Sequence, residues 1–377
     1  MNYFFTKYHA FYVFVVLASF AFKVKAQSLN YRFVEVKGHT GIHMYSGDDL
    51  NPFLEKGYGA YEFRFGWQMD GSKGWEHNYR YPSFGLGWYS GFVGSPTVIG
   101  NPNAFFGFVS FPLSKLKRHV WISEAGLGLA YSLRKYDPVK NPLNDAIGTS
   151  LALYYNYSFG GRFAINREMD LLYAVDVTHI SNGRMAQPNH GLNMVGVNLG
   201  MRYHFNKLQR KNNPGYNPDK LWDVRPSYDK QLDENLRDYK ESNFLIHLAG
   251  GFSQNLKDKN TNVKYFDATS MVEFQKFFHF KHAAVVGLDF FYDGNMLGFD
   301  EDPYEVGYHV GYDYKIWRCT IRMQVGSYIY APDMKGAFFM RPAGKYDIND
   351  RWFAQLGLKT RAGIAADWLE WGIGVRL

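Results

Sequence analysis

An imidazole and a hydroxyl stand two residues apart at His179 and Ser181, types able to serve acid–base and nucleophilic chemistry when they share a site. On a strand they share a face. Leu171, Tyr173, Val175 and Val177 form an apolar set of one parity that continues to His179 and Ser181, because successive side chains on a strand point to opposite sides. Further along, Val195, Val197, Leu199, Met201 and Tyr203 make the apolar set of a return strand and put Asn193 on that same face. If residues 179 and 193 pair across the hairpin, His179, Ser181 and Asn193 come within side-chain reach. Polar groups are costly on a face that otherwise meets apolar surroundings. Either the strand simply leaves those surroundings here, as polar residues at loop bases do, or the cluster has a use. Asp176 is the nearest acid on the first strand, and its parity points it to the opposite face.

The elements that must position this cluster are strands. Beyond residue 26 no stretch of 18 apolar residues occurs, which excludes helical membrane spans. Period-two alternation recurs instead: Tyr61, Phe63, Phe65, Trp67 and Met69 are apolar, with Glu62, Arg64, Gly66 and Gln68 between them. Leu151 to Phe159 and Leu369 to Leu377 repeat the pattern, the latter ending on the last residue. Aromatic residues make up 19% of the chain, with 38 Gly and a negative mean hydropathy. A soluble core has no need of so many rings, whereas transmembrane barrels place them in girdles at both interfaces and put Gly and polar residues inside. The expected fold is therefore all-β, a transmembrane antiparallel β-barrel of roughly 12 to 16 strands, in preference to a soluble β-sandwich.

Candidate strands fall near 31–45, 58–69, 80–92, 103–113, 119–133, 149–159, 163–181 and 191–205, then 243–254, 264–278, 280–293, 304–317, 319–331 and 351–377, the last long enough for two. Between the groups, residues 207–242 hold Pro214, Pro218 and Pro226 with nearly balanced charges and read as a solvated loop or linker. Two architectures follow: one larger barrel over residues 27–377, or an eight-stranded barrel at 27–206 followed by a second β unit at 243–377. The second half offers only about six strands, few for a barrel whose known minimum is about eight, so the single barrel is preferred.

Residues 1–26 read as a cleaved signal peptide: Lys7, the apolar run Ala10 to Phe22, and Val24-Lys25-Ala26 before Gln27. Their removal takes away Lys7, Lys23 and Lys25 and no acids, which lowers the formal net charge from +7 to +4. Basic residues are scattered among acids, which argues against a nucleic-acid partner and suits contact with membrane lipid headgroups. The lone Cys319 has no intramolecular partner. There is no Gly-x-Ser-x-Gly, His-Glu-x-x-His, phosphate-binding Gly loop or Cys pair, and His282 and His309 are dispersed. No metal or cofactor is expected.

The segment His179-Ile180-Ser181-Asn182-Gly183, continued by Gln187-Pro188-Asn189-His190-Gly191-Leu192-Asn193, resembles the signature of the lipid A 3-O-deacylases of Gram-negative outer membranes. Those enzymes are eight-stranded barrels with a His-x-Ser-Asn pair and a downstream Pro-Asn-x-Gly-x-Glu. The resemblance implies Ser181 as nucleophile on an ester carbonyl and His179 as the base that takes its proton and returns it to the leaving alcohol. It makes Asn182 and Asn189 candidates for stabilising the oxyanion or supporting it, beside the plainer reading of turn-forming Asn residues. The family's acid falls on Asn193, whose side-chain oxygen can orient the imidazole but brings no charge.

The expected function is thus an outer-membrane esterase that removes an ester-linked acyl chain from lipid A, lipopolysaccharide or a related glycolipid. The alternative is a non-enzymatic barrel, either a pore or a silent relative of the deacylases. If the N-terminus starts in the periplasm, the hairpin carrying the cluster turns outside the cell, beside the outer leaflet.

Overall fold

A computed structural model describes residues 32–45, 47, 49–69, 74–114, 118–166, 168–205, 239–261, 263–361 and 365–377. The signal-peptide reading at 1–26, and nearly all of the linker reading at 207–242, lie outside the described residues.

Every alternating segment becomes an antiparallel strand. The first group is β1 (Arg32–His43), β2 (Tyr58–Gln68), β3 (Ser83–Phe92), β4 (Gly100–Pro112), β5 (His119–Leu133), β6 (Ala152–Ala164), β7 (Met169–Ser181) and β8 (Leu192–His204). These eight form a closed barrel, β1 pairing with both β2 and β8. The second group is β9 (Ser242–Ser253), β10 (Tyr265–His279), β11 (His282–Asp293), β12 (Tyr304–Ile316), β13 (Cys319–Tyr330), β14 (Phe338–Asp347), β15 (Trp352–Arg361) and β16 (Ala365–Arg376). It closes separately, β9 pairing with β10 and β16. Among the described residues no helix is long and apolar enough to cross a membrane.

The single-barrel expectation is corrected here to two barrels. The strand that local reading lacks is β14, which carries Pro342 at its centre. Proline cannot donate to a ladder and reads against a strand. The pairing with β15 accordingly steps from Met340↔Thr360 to Ala343↔Gly357, passing over Arg341 and Pro342. With β14 restored, and 351–377 divided into β15 and β16, the second half has the eight strands a small barrel needs.

Alternation fixes what each barrel shows and hides. Tyr61, Phe63 and Phe65 are exposed on the outer face of β2, while Glu62 and Arg64 between them are buried inside. An eight-stranded barrel has an interior just wide enough for side chains to fill, and here ion pairs span it. In the first barrel Glu124 of β5 meets Lys37 of β1 at 3.0 Å and Arg64 of β2 at 2.6 Å. Buried Tyr89, Phe106 and Tyr154 pack across the end nearer the β7–β8 hairpin. In the second, Arg322 of β13 meets Glu273 of β10 and Asp313 of β12, each at 2.8 Å, and Lys359 of β15 meets Glu305 of β12 at 2.9 Å.

Removing one member of such a buried pair strands its partners in a low-dielectric interior. Arg322→Met is expected to destabilise the second barrel by about 3–5 kcal/mol. The check is the urea dependence of heat-modifiable migration on gels, where an unshifted midpoint would show that the arginine is energetically replaceable.

Candidate active site

The β7–β8 hairpin stands at the end of the first barrel opposite the start of β1, where His43 of β1 pairs with Met194 of β8. On β7 the alternation runs through exposed Val175 and Val177 to half-buried His179 and buried Ser181, all of one parity. The register pairs His179 with Asn193, and their side chains bond: His179 Nδ1 lies 2.6 Å from Asn193 Oδ1. Because that oxygen only accepts, Nδ1 is the protonated nitrogen and Nε2 is left with its lone pair. An imidazole held in this tautomer can take up a proton at Nε2.

Ser181 ends β7, and the chain then folds back over it. Asn189 Nδ2 donates to Ser181 Oγ at 2.9 Å, and the Gly183 amide donates to the same oxygen at 3.2 Å. Two donors therefore converge on the attacking oxygen itself, next to where the carbonyl oxygen of an ester bound at Oγ would gather negative charge. Asn189 is held by its other end, Oδ1 accepting from the Asn182 amide at 3.2 Å. The Asn182 side chain turns away from Ser181 and bonds Ala186 O at 3.0 Å, so this residue braces the loop and Asn189 faces the hydroxyl.

Among the described residues no hydrogen bond joins His179 to Ser181. What lies between them is Gly191. A Cβ built on it would sit 3.2 Å from His179 Cε1 and 3.5 Å from Ser181 Cβ, and its φ is +72°. The glycine thus leaves open the space that the reacting groups would close on substrate, a tightening common in such sites. The loop between β5 and β6 steadies it from behind, Ala146 O accepting from the Gly191 amide at 3.0 Å. Gly191→Ala would place a methyl group in that space and force an L residue into the left-handed region, at about 1–2 kcal/mol. We expect it to cut turnover about tenfold or more while the barrel stays folded, to be checked by steady-state kinetics on the heat-modifiable protein.

Asp176 is not available to this site. It is buried inside the barrel, with Oδ2 at 2.7 Å from His39 Nδ1 and 2.6 Å from Asn198 Nδ2, and Oδ1 at 3.1 Å from Tyr58 OH. The imidazole's partner is thus a neutral amide. Gly191 and the Gly183 amide are functional candidates that residue-type reasoning passed over, since neither has side-chain chemistry. Their signal was positional, both glycines lying within the quoted motif. Among the described residues no group of His, Cys, Asp and Glu is arranged to hold a metal ion.

Two family models match the chain in succession. Residues 59–202 match the one described as lipid A 3-O-deacylase (PagL), and residues 242–377 match the one described as acyloxyacyl hydrolase, C-terminal domain. Among solved structures, the chain is similar to one titled "Crystal structure of the outer membrane enzyme PagL", with 16% identity over 44% of this chain and 97% of that one, at a TM-score of 0.31. It is also similar to a triple mutant of the Rhodopseudomonas blastica porin, with 9% identity over 93% of this chain and 99% of that one, at a TM-score of 0.17. No curated protein matches.

Proposed function

The chain belongs to the lipid A 3-O-deacylase family, its two barrels each matched by one of that family's models, and from this premise we propose that it is an outer-membrane esterase releasing an acyl chain from lipid A or a related glycolipid. Residues 1–26 are removed on export. The apolar outer faces of both barrels meet hydrocarbon, and the β7–β8 hairpin stands at the outer leaflet, where lipid A lies. The filled interiors leave the reaction to the outside of the wall. They also argue against a pore, for which no steady single-channel current is expected.

The observation that carries the reading is the outward pairing of His179 with Asn193 at 2.6 Å, two residues along the strand from Ser181. The chemistry follows from it. His179 Nε2 takes the Ser181 proton as Oγ bonds to the ester carbonyl carbon. The charge of the tetrahedral intermediate gathers on the former carbonyl oxygen, and Asn189 Nδ2 and the Gly183 amide, which donate to Oγ before attack, turn to that oxygen to hold it. The carbon–oxygen bond to the sugar breaks, and His179 returns the proton to the leaving alcohol. Water then attacks the acyl-serine with the same imidazole as base, releasing the free fatty acid and restoring Ser181.

A second reading, a silent relative that keeps the hairpin, is favoured by the neutral Asn193. One assay separates the two. The folded protein is incubated with lipid A in detergent micelles, and the lipid is weighed by mass spectrometry. Loss of one hydroxyacyl chain is expected; an unchanged mass would reject the esterase.

A further inference from the structure

The loop that carries the reacting groups is held from two sides, and one of them is the other barrel. Gln254, just past the end of β9, is almost fully buried and grips the hairpin twice. Its Oε1 accepts from the Gln187 amide at 2.7 Å, and its own backbone amide donates to Arg184 O at 3.0 Å. Gln254 is fixed in turn, because its Nε2 donates to Asp258 O and Thr261 O, both at 3.0 Å. Arg184 Nη1 reaches Asp367 Oδ1 of β16 at 3.3 Å, and that aspartate is itself held by Lys335 and Lys359. At Gly183, next to Asn182, a Cβ would lie only 3.0 Å from Leu369 Cβ of β16, so the barrels touch two residues from Ser181.

The connection between Ser181 and Leu192 runs outside the strand ladder, where backbone is less constrained than in a strand, and its use to the site depends on keeping the Gly183 amide and Asn189 Nδ2 at Ser181 Oγ. Contacts within the first barrel constrain its beginning and end: Asn189 bonds Ser181 and Asn182, and Gly191 bonds Ala146. The middle, Gly183 to Gln187, is braced from within by the Asn182 side chain on Ala186 O and is held from outside by the second barrel at Arg184 and Gln187. Holding reacting groups in place is worth large factors in rate, and a displacement of about 1 Å from a distant change can cost about a hundredfold.

We propose that the second barrel is a positioning element for the site on the first, with Gln254 and Asp367 holding the hairpin through Gln187 and Arg184 so that its donors stay on Ser181. The proposal rests on the esterase reading, and Gln254 and Arg184 are positioning residues in it. Gln254→Met and Arg184→Met in the full chain are expected to lower kcat about tenfold to a hundredfold and leave KM within about threefold. Arg184→Lys, which keeps the charge opposite Asp367, recovers most of the loss. Heat-modifiable migration shows that both barrels remain folded. Amide hydrogen exchange of residues 182–191 supplies a readout free of substrate, and it should speed up in both Met variants. An active wild type whose Met variants keep full kcat overturns the proposal and leaves the esterase standing. A wild type that releases no acid from lipid A overturns the esterase. In that case the exchange data decide the clamp: faster exchange in the variants supports it, and unchanged exchange rejects it.

Discussion

Ser181→Ala is expected to reduce release of fatty acid from lipid A by about 10³-fold or more, and His179→Ala to do the same. An alcohol is a weak nucleophile at its ordinary pKa, so the oxygen and the base that deprotonates it act as one unit. Residues that act as a unit have non-additive effects, and the double variant should be no slower than either single one. That non-additivity distinguishes a working pair from two residues that merely hold the loop, whose losses would multiply. The small volume change at Ser181 leaves Asn189 bonded to the Asn182 amide, so the barrel should fold normally. The measurement is the initial rate of acid release by mass spectrometry, with folding checked by heat-modifiable migration. A Ser181→Ala protein as fast as the wild type would remove the nucleophile, and with it the mechanism.

How much of this was legible beforehand depended on whether a feature was local. Parity along β7 and β8 placed His179, Ser181 and Asn193 on one face, and the pairing of His179 with Asn193 is the register that parity allowed. The inward direction of Asp176 was readable in the same way. Closure was not. Whether strands form one barrel or two depends on β1 meeting β8 and β9 meeting β16, pairings between segments far apart in sequence that no local pattern records. The count misled because Pro342 masks β14 and 351–377 was counted as a single strand, and two strands fewer made a second barrel look too small.

The clamp on the hairpin was hidden for a related reason. Gln254 follows a strand end and Asp367 lies within a strand, positions 67 residues or more from their partners. Nothing in their neighbourhoods sets them apart from other polar residues near a barrel mouth. The lumen pairs show the same limit. Alternation shows that Lys37 and Glu124 point inward, but only the closed barrel shows that they meet across it.

Asn193→Asp is expected to accelerate the reaction, by about a hundredfold and with a ceiling near 10⁴. The ceiling comes from the reverse change in serine proteases, where replacing the triad aspartate by asparagine costs about 10⁴ in turnover. Here the amide already supplies geometry, with Oδ1 2.6 Å from His179 Nδ1. What it lacks is charge to oppose the imidazolium that forms as Ser181 attacks. The carboxylate has the same shape and keeps the hydrogen bond, so the gain should appear in kcat with KM nearly unchanged, the pattern of an interaction made only in the transition state. The cost is a charge on a half-buried outward position, which is expensive unless satisfied. The half-exposed site at the hairpin end and the imidazole beside it offset most of that. An accelerated variant would mean that the natural chain, with the amide, works below its geometric capacity, loop and base assembled and the charge withheld. If the variant is no faster, Asn193 is not the orienting partner, and the pairing at 2.6 Å is a structural hydrogen bond at the base of a loop.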